Sequence, residues 1–168
     1  MPIHLLAILA VILSISPASA APRELYNKAV RVEYTVTTST GQHNTVSSVS
    51  RTIYVSSTGR LFERHVISNR GGRRVYDNSP GAPVNAGGEV RGMSFRGNTL
   101  VATIAFVSGA GEMTVRFDPA FSSCEGTVSF GTERDRVMAR RASGVTFQIT
   151  SIKASNVTCS ITSGNPFQ

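Results

Sequence analysis

Val30-Arg31-Val32-Glu33-Tyr34-Thr35-Val36-Thr37 decides the fold. Val30, Val32, Tyr34 and Val36 fall on one side of an extended chain, and Arg31, Glu33, Thr35 and Thr37 fall on the other. Side chains alternate across a strand with period two, so the stretch predicts a strand with one buried face and one wet face. The same reading extends in both directions. Residues 39–44 are a polar loop, and residues 49–55 supply Thr52, Ile53, Tyr54 and Val55, which suit a pleated surface. Ser56-Ser57-Thr58-Gly59 turns the chain and residues 61–67 return, which predicts a hairpin. Residues 68–88 change texture to Gly, Pro, Asn and Arg. They read as a long loop in which only Arg74-Val75-Tyr76 can pair.

Strands resume beyond it. Met93 and Phe95 alternate with Gly92 and Ser94, and Arg96-Gly97-Asn98 makes a tight turn. Residues 99–107 are apolar on both sides, which predicts a central strand. Met113, Val115 and Phe117 form the next apolar face, and Asp118-Pro119 marks a turn. Cys124, Gly126, Val128 and Phe130 alternate again. Residues 133–141 read as a helical turn or a polar loop. Val145, Phe147 and Ile149 are expected to pair with Val157, Cys159 and Ile161 as a last hairpin. About eight or nine short strands then make an all-β fold, a single antiparallel β-barrel or β-sandwich. An outer-membrane barrel needs aromatic girdles at both interfaces. Trp is absent and the chain ends Pro166-Phe167-Gln168, which argues against one.

The N-terminus has a different character. Residues 5–15 are an apolar run, Ser16-Pro17 breaks it, and Ala18-Ser19-Ala20 has the small-x-small form of a cleavage site. Residues 1–20 therefore read as a secretory signal peptide, although Met1-Pro2-Ile3-His4 has neither Lys nor Arg. A single domain, residues 21–168, is expected to be exported to the periplasm or the extracellular space. At 168 residues the chain has room for one domain. No apolar run reaches the ~18 residues of a spanning helix. Cys124 and Cys159, an even pair in an exported chain, are expected to form a disulfide.

Motifs for chemistry are mostly missing. The sequence has no His-Glu-x-x-His, no nucleophile elbow and no phosphate-binding P-loop, and it calls for no cofactor and no metal. Glu63 and His65 alternate on one strand, so both point the same way. A Glu–His pair in a cleft can do acid–base work. The plainer reading places both on a solvated strand face with Arg64 opposite. An apolar barrel interior lined by Leu100, Ile104, Phe106, Met113 and Phe117 is the alternative of a lipocalin-like carrier for a small apolar ligand. Asn156-Val157-Thr158 matches a glycosylation acceptor.

Charge carries the most functional content. The formal net charge is +7, and only Lys28 and Lys153 are lysines, so 15 of the 17 basic residues are arginine. Arg60, Arg64, Arg70, Arg73 and Arg74 fall in or beside the long loop, with Gly71-Gly72 among them. Guanidinium forks match phosphate and carboxylate geometry, so this basic loop is the candidate surface for an anionic partner, either a surface or a polymer. Arg134, Arg136, Arg140 and Arg141 form a second group that Glu133 and Asp135 partly offset. Sequence-specific nucleic-acid recognition is not expected, because no reading helix and no aromatic-rich strand motif is present.

Three stretches also carry a resemblance. They are Ser50-Arg51-Thr52-Ile53-Tyr54-Val55-Ser56, Phe95-Arg96-Gly97-Asn98-Thr99-Leu100-Val101 and Phe117-Asp118-Pro119-Ala120-Phe121-Ser122-Ser123-Cys124. They resemble small uncharacterised exported β-rich proteins of alphaproteobacteria. The resemblance implies a periplasmic or secreted setting and brings over no activity and no site residue. The expectation is an exported, non-catalytic binding or envelope-associated protein.

Overall fold

The structure, a computed structural model, describes residues 20–41, 43–77, 92–106, 109–131, 138–140 and 146–167. The expected signal peptide lies outside these, apart from Ala20. Among the described residues the chain forms a short 3-10 helix, Arg23–Leu25, and then only strands. These are β1 (Lys28–Ser39), β2 (Asn44–Val55), β3 (Leu61–Asn69), β4 (Gly72–Asp77), β5 (Met93–Arg96) and β6 (Thr99–Phe106). β7 (Gly109–Phe117), β8 (Cys124–Phe130), β9 (Met138–Arg140), β10 (Thr146–Gln148) and β11 (Ser151–Ser163) follow. They build a five-stranded sheet in the order β11-β1-β2-β3-β4 and a four-stranded sheet in the order β5-β6-β7-β8. A short β9–β10 ribbon stands apart. All pairings are antiparallel, and the sheets are not closed into a barrel.

The founding stretch behaves as its pattern predicts. Val30, Val32, Tyr34 and Val36 are buried at 3% exposure or less, while Arg31 and Glu33 are exposed and form an ion pair. On β2, Val49, Ile53 and Val55 continue the same face. Phe95, Leu100, Ala102, Ile104, Met113, Val115 and Phe117 come from the other sheet, and both sets join one apolar core. Removing each large side chain from water is worth about 1.5–3 kcal/mol, so the shared core supplies the main drive to fold. Leu100, Ile104, Met113 and Phe117, the carrier's proposed lining, are at most 3% exposed and sit in this core. The Phe106 side chain lies outside the described residues.

Two local expectations are corrected. Residues 68–77 are not loop. β3 runs on to Asn69, and β4 pairs with it through Asn69↔Gly72, Ser68↔Arg73 and Arg64↔Asp77. Arg70-Gly71 makes the turn, with Asn69 Oδ1 accepting from Gly71 N at 2.8 Å. Gly72 then takes φ 123°, a conformation only glycine enters freely. Composition marked the segment as a loop, yet a two-residue turn needs just these residues. Residues 78–91 lie outside the described residues.

The expected last hairpin also gives way. β11 pairs with β1 along its length, Val30 opposite Ile161 and Val32 opposite Cys159, while Thr146–Gln148 pairs with Met138–Arg140. Alternation specifies which side of a strand is buried, and leaves its neighbour unspecified. The rest of residues 133–141, including Arg134, Arg136 and Arg141, lies outside the described residues.

The cysteines bond as expected. Cys124 on β8 and Cys159 on β11 form a disulfide with Cα atoms 5.6 Å apart. It ties the last strand of one sheet to the last strand of the other. Gly126 allows this approach, since a Cβ there would lie 3.2 Å from Val157 Cγ1 and 3.3 Å from Val32 Cγ1.

Candidate functional site

The inward face of the five-stranded sheet carries an unusual polar row. β1 places Tyr34 there, β2 places Arg51, and β3 places Glu63 and His65. The register sets Arg51 directly opposite His65, and Glu63 two pairs further on, opposite Ile53. Tyr34 pairs with Val49 and so lies diagonal to Arg51. Neighbours of this kind are within side-chain reach.

Arg51 is 4% exposed and is the one buried charged residue among those described. Its Nε donates to Glu63 Oε1 at 2.5 Å, and its Nη2 lies 2.5 Å from the same oxygen. Arg51 Nη1, Tyr34 Oη and His65 Nε2 are buried without a hydrogen-bond partner. Such atoms are uncommon and costly, because water has been removed and nothing replaces it. Burial pushes the Tyr34 hydroxyl up to about 12, against the pull of Arg51 and with help from Glu63. Burial, and then the Arg51 charge, brings His65 down to about 4. At neutral pH both groups are uncharged, and Arg51 is balanced by Glu63. The row ends at Tyr76 on β4, whose ring lies 5.7 Å from His65 and which is 51% exposed. It therefore runs from the core to solvent.

This corrects the solvated-face expectation for Glu63 and His65. Leu61 and Ile67 share their side of β3 and pack against the core, so the face points inward. Glu63 holds Arg51, and no hydrogen bond reaches His65 Nε2 to pass a proton through it. The sequence reading missed Arg51 and Tyr34 as partners. Their signal was present: Arg51 interrupts the apolar alternation Val49, Ile53, Val55.

The five arginines of the expected basic loop are placed by the β3–β4 hairpin. Arg60 precedes β3, with its guanidinium 5.6 Å from the centre of the Phe62 ring. Arg64 pairs with Asp77 at 2.7 Å and lies 4.8 Å over Phe167. Arg70 sits in the turn. Arg73 and Arg74 are consecutive on β4, so they point to opposite faces, Arg73 with Arg64 and Arg74 with His65. The structure thus brings Arg60, Arg64 and Arg73 onto the outer face and leaves Arg74 on the inner one. Arg64 is neutralised locally. Arg70, Arg73 and Arg74 are exposed and have no acidic partner among the described residues.

The outer face also holds an open groove of about 250 Å³ lined by Glu33, Thr35, Ser48, Ser50, Ser68 and Asn156. Asn156 takes φ 54° beside an irregularity in the β1–β11 ladder between Glu33 and Thr35. Among the described residues no group of three or more His, Cys, Asp or Glu is placed to hold a metal, and no helix is long and apolar enough to cross a membrane. Comparison of the chain with family models, curated proteins and solved structures returned no match, so its own geometry carries the functional argument.

Proposed function

We propose that the chain is an exported, non-catalytic binding protein that engages anionic partners through the β3–β4 hairpin. The observation that carries this reading is the set Arg70, Arg73 and Arg74, exposed on one hairpin with no acidic partner among the described residues. Arg64, a few residues away, has its own acid in Asp77. Leaving three guanidinium groups unopposed raises the local potential and favours anions.

Two further observations support the setting. Ala21, the first residue of the expected mature chain, is already core at 6% exposure. Disulfides such as Cys124–Cys159 persist in oxidising compartments. The resemblance to exported alphaproteobacterial proteins agrees with both. On the shared core we read the two larger sheets as a sandwich, which leaves the hairpin projecting from one side.

The test is binding to polyphosphate at increasing salt. The expected result is an affinity that falls steeply as salt rises, and that drops about tenfold or more in Arg73→Glu/Arg74→Glu, at roughly 1 kcal/mol per basic residue on an anionic surface. Binding that ignores both salt and the substitutions contradicts the reading.

A further inference from the structure

We propose that the edge of β4 at Gly72–Tyr76, which has no ladder partner among the described residues, accepts an extended, acidic segment of a protein partner as an added strand. The inference rests on the hairpin being the anion-binding element, and it names the partner and the mode. β4 ends the order β11-β1-β2-β3-β4, so one of its edges has no ladder partner among the described residues. Its residues from Gly72 to Tyr76 are all exposed. An open edge presents a row of backbone N–H and C=O groups, a template for strand addition.

The side chains specify the guest. Arg73 and Arg74 stand on opposite faces of β4, and so do Val75 and Tyr76, which are 43% and 51% exposed. A strand laid beside β4 meets a cation and an apolar side chain on each face. Acidic residues mixed with apolar ones satisfy both, because side chains on neighbouring strands interact pairwise. A second copy of this chain is a poor guest. Antiparallel pairing of two β4 edges in full overlap sets Arg73 against Tyr76 and Arg74 against Val75, so these arginines meet no carboxylate and two +7 chains repel. A polyanion without peptide groups answers the charge and leaves the backbone edge unpaired.

The experiment measures amide hydrogen exchange across Gly72–Asp77 in the disulfide-bonded protein. The probes are a ten-residue peptide of repeating Glu-Glu-Val-Val, which puts both residue types on each face of a strand, and, separately, polyphosphate. The expected result is that both bind, that only the peptide slows exchange in β4 by about tenfold or more, and that Arg73→Glu/Arg74→Glu abolishes the protection. If both bind with no protection of β4, strand addition is overturned while the anion-binding reading stands. If neither binds, both readings fall. Protection of β4 that appears with protein concentration and without peptide assigns the edge to a second copy and overturns the proposal.

Discussion

Arg51 keeps its guanidinium inside the molecule against a single carboxylate oxygen of Glu63. Removing one partner of a buried pair strands the other, at a cost of about 3–5 kcal/mol. Glu63→Gln is therefore expected to lose about that much in urea unfolding. Arg51→Met/Glu63→Leu, which removes both charges, is expected to lose less than either single change. His65 adds a pH dependence. Its folded value is held near 4, against 6.5 unfolded, so the unfolded chain takes the proton first. Stability is then expected to fall as pH drops from 6.5 to 4 and to level off below, by up to about 3 kcal/mol in total. His65→Leu removes that component, and the difference between the two unfolding curves across this window measures it. The sequence marks Arg51 as a charge at an apolar position between Val49 and Ile53. It does not mark Glu63 as the answering acid, because that follows from the register between β2 and β3.

At the scale of elements, the sheets are joined at β8 and β11. The Cys124–Cys159 bond closes a 35-residue separation, which loop entropy values at about 3–4 kcal/mol. Cys124→Ser/Cys159→Ser is expected to lose about that amount in equilibrium unfolding and to keep the strand spectrum. Gly126 is the matching steric test. A valine there drives methyl groups into Val32 and Val157 and is expected to cost about 1–3 kcal/mol by the same measurement. Period-two alternation revealed β1 and β2 with their buried faces, because a half-buried strand writes its two sides into the sequence, and it revealed the run of β3 while Glu63 and His65 disguised its inward side. β4 was legible only at Arg74-Val75-Tyr76, because both faces of Gly72 to Tyr76 are exposed and leave no apolar stripe to display. The β1–β11 pairing was hidden for a different reason. Its partners, residues 28–39 and 151–163, lie far apart in the sequence, and side-chain alternation does not encode the neighbour.

At the scale of the molecule, a core shared by two sheets supports a hairpin on which Arg70, Arg73 and Arg74 have no acidic partner among the described residues. The first expected outcome concerns the chain itself. Protein recovered from an exporting host is expected to have the mass of residues 21–168 less two hydrogens, read by denaturing mass spectrometry. An intact precursor or free thiols contradict export. The basic composition was legible in the sequence, and so was the group Arg60 to Arg74. Its division between two faces, with Arg64 tied to Asp77, depended on the hairpin register and was not. The central claim is that location, rather than net charge, makes the binding surface. It is tested by comparing Arg73→Glu/Arg74→Glu with Arg96→Glu/Arg116→Glu, whose exposed arginines lie on the four-stranded sheet. Each variant lowers the formal charge by four, from +7 to +3. The measurement is polyphosphate affinity at one fixed, low salt concentration. A large loss is expected for the hairpin variant and a small one for the other. Equal losses contradict the claim.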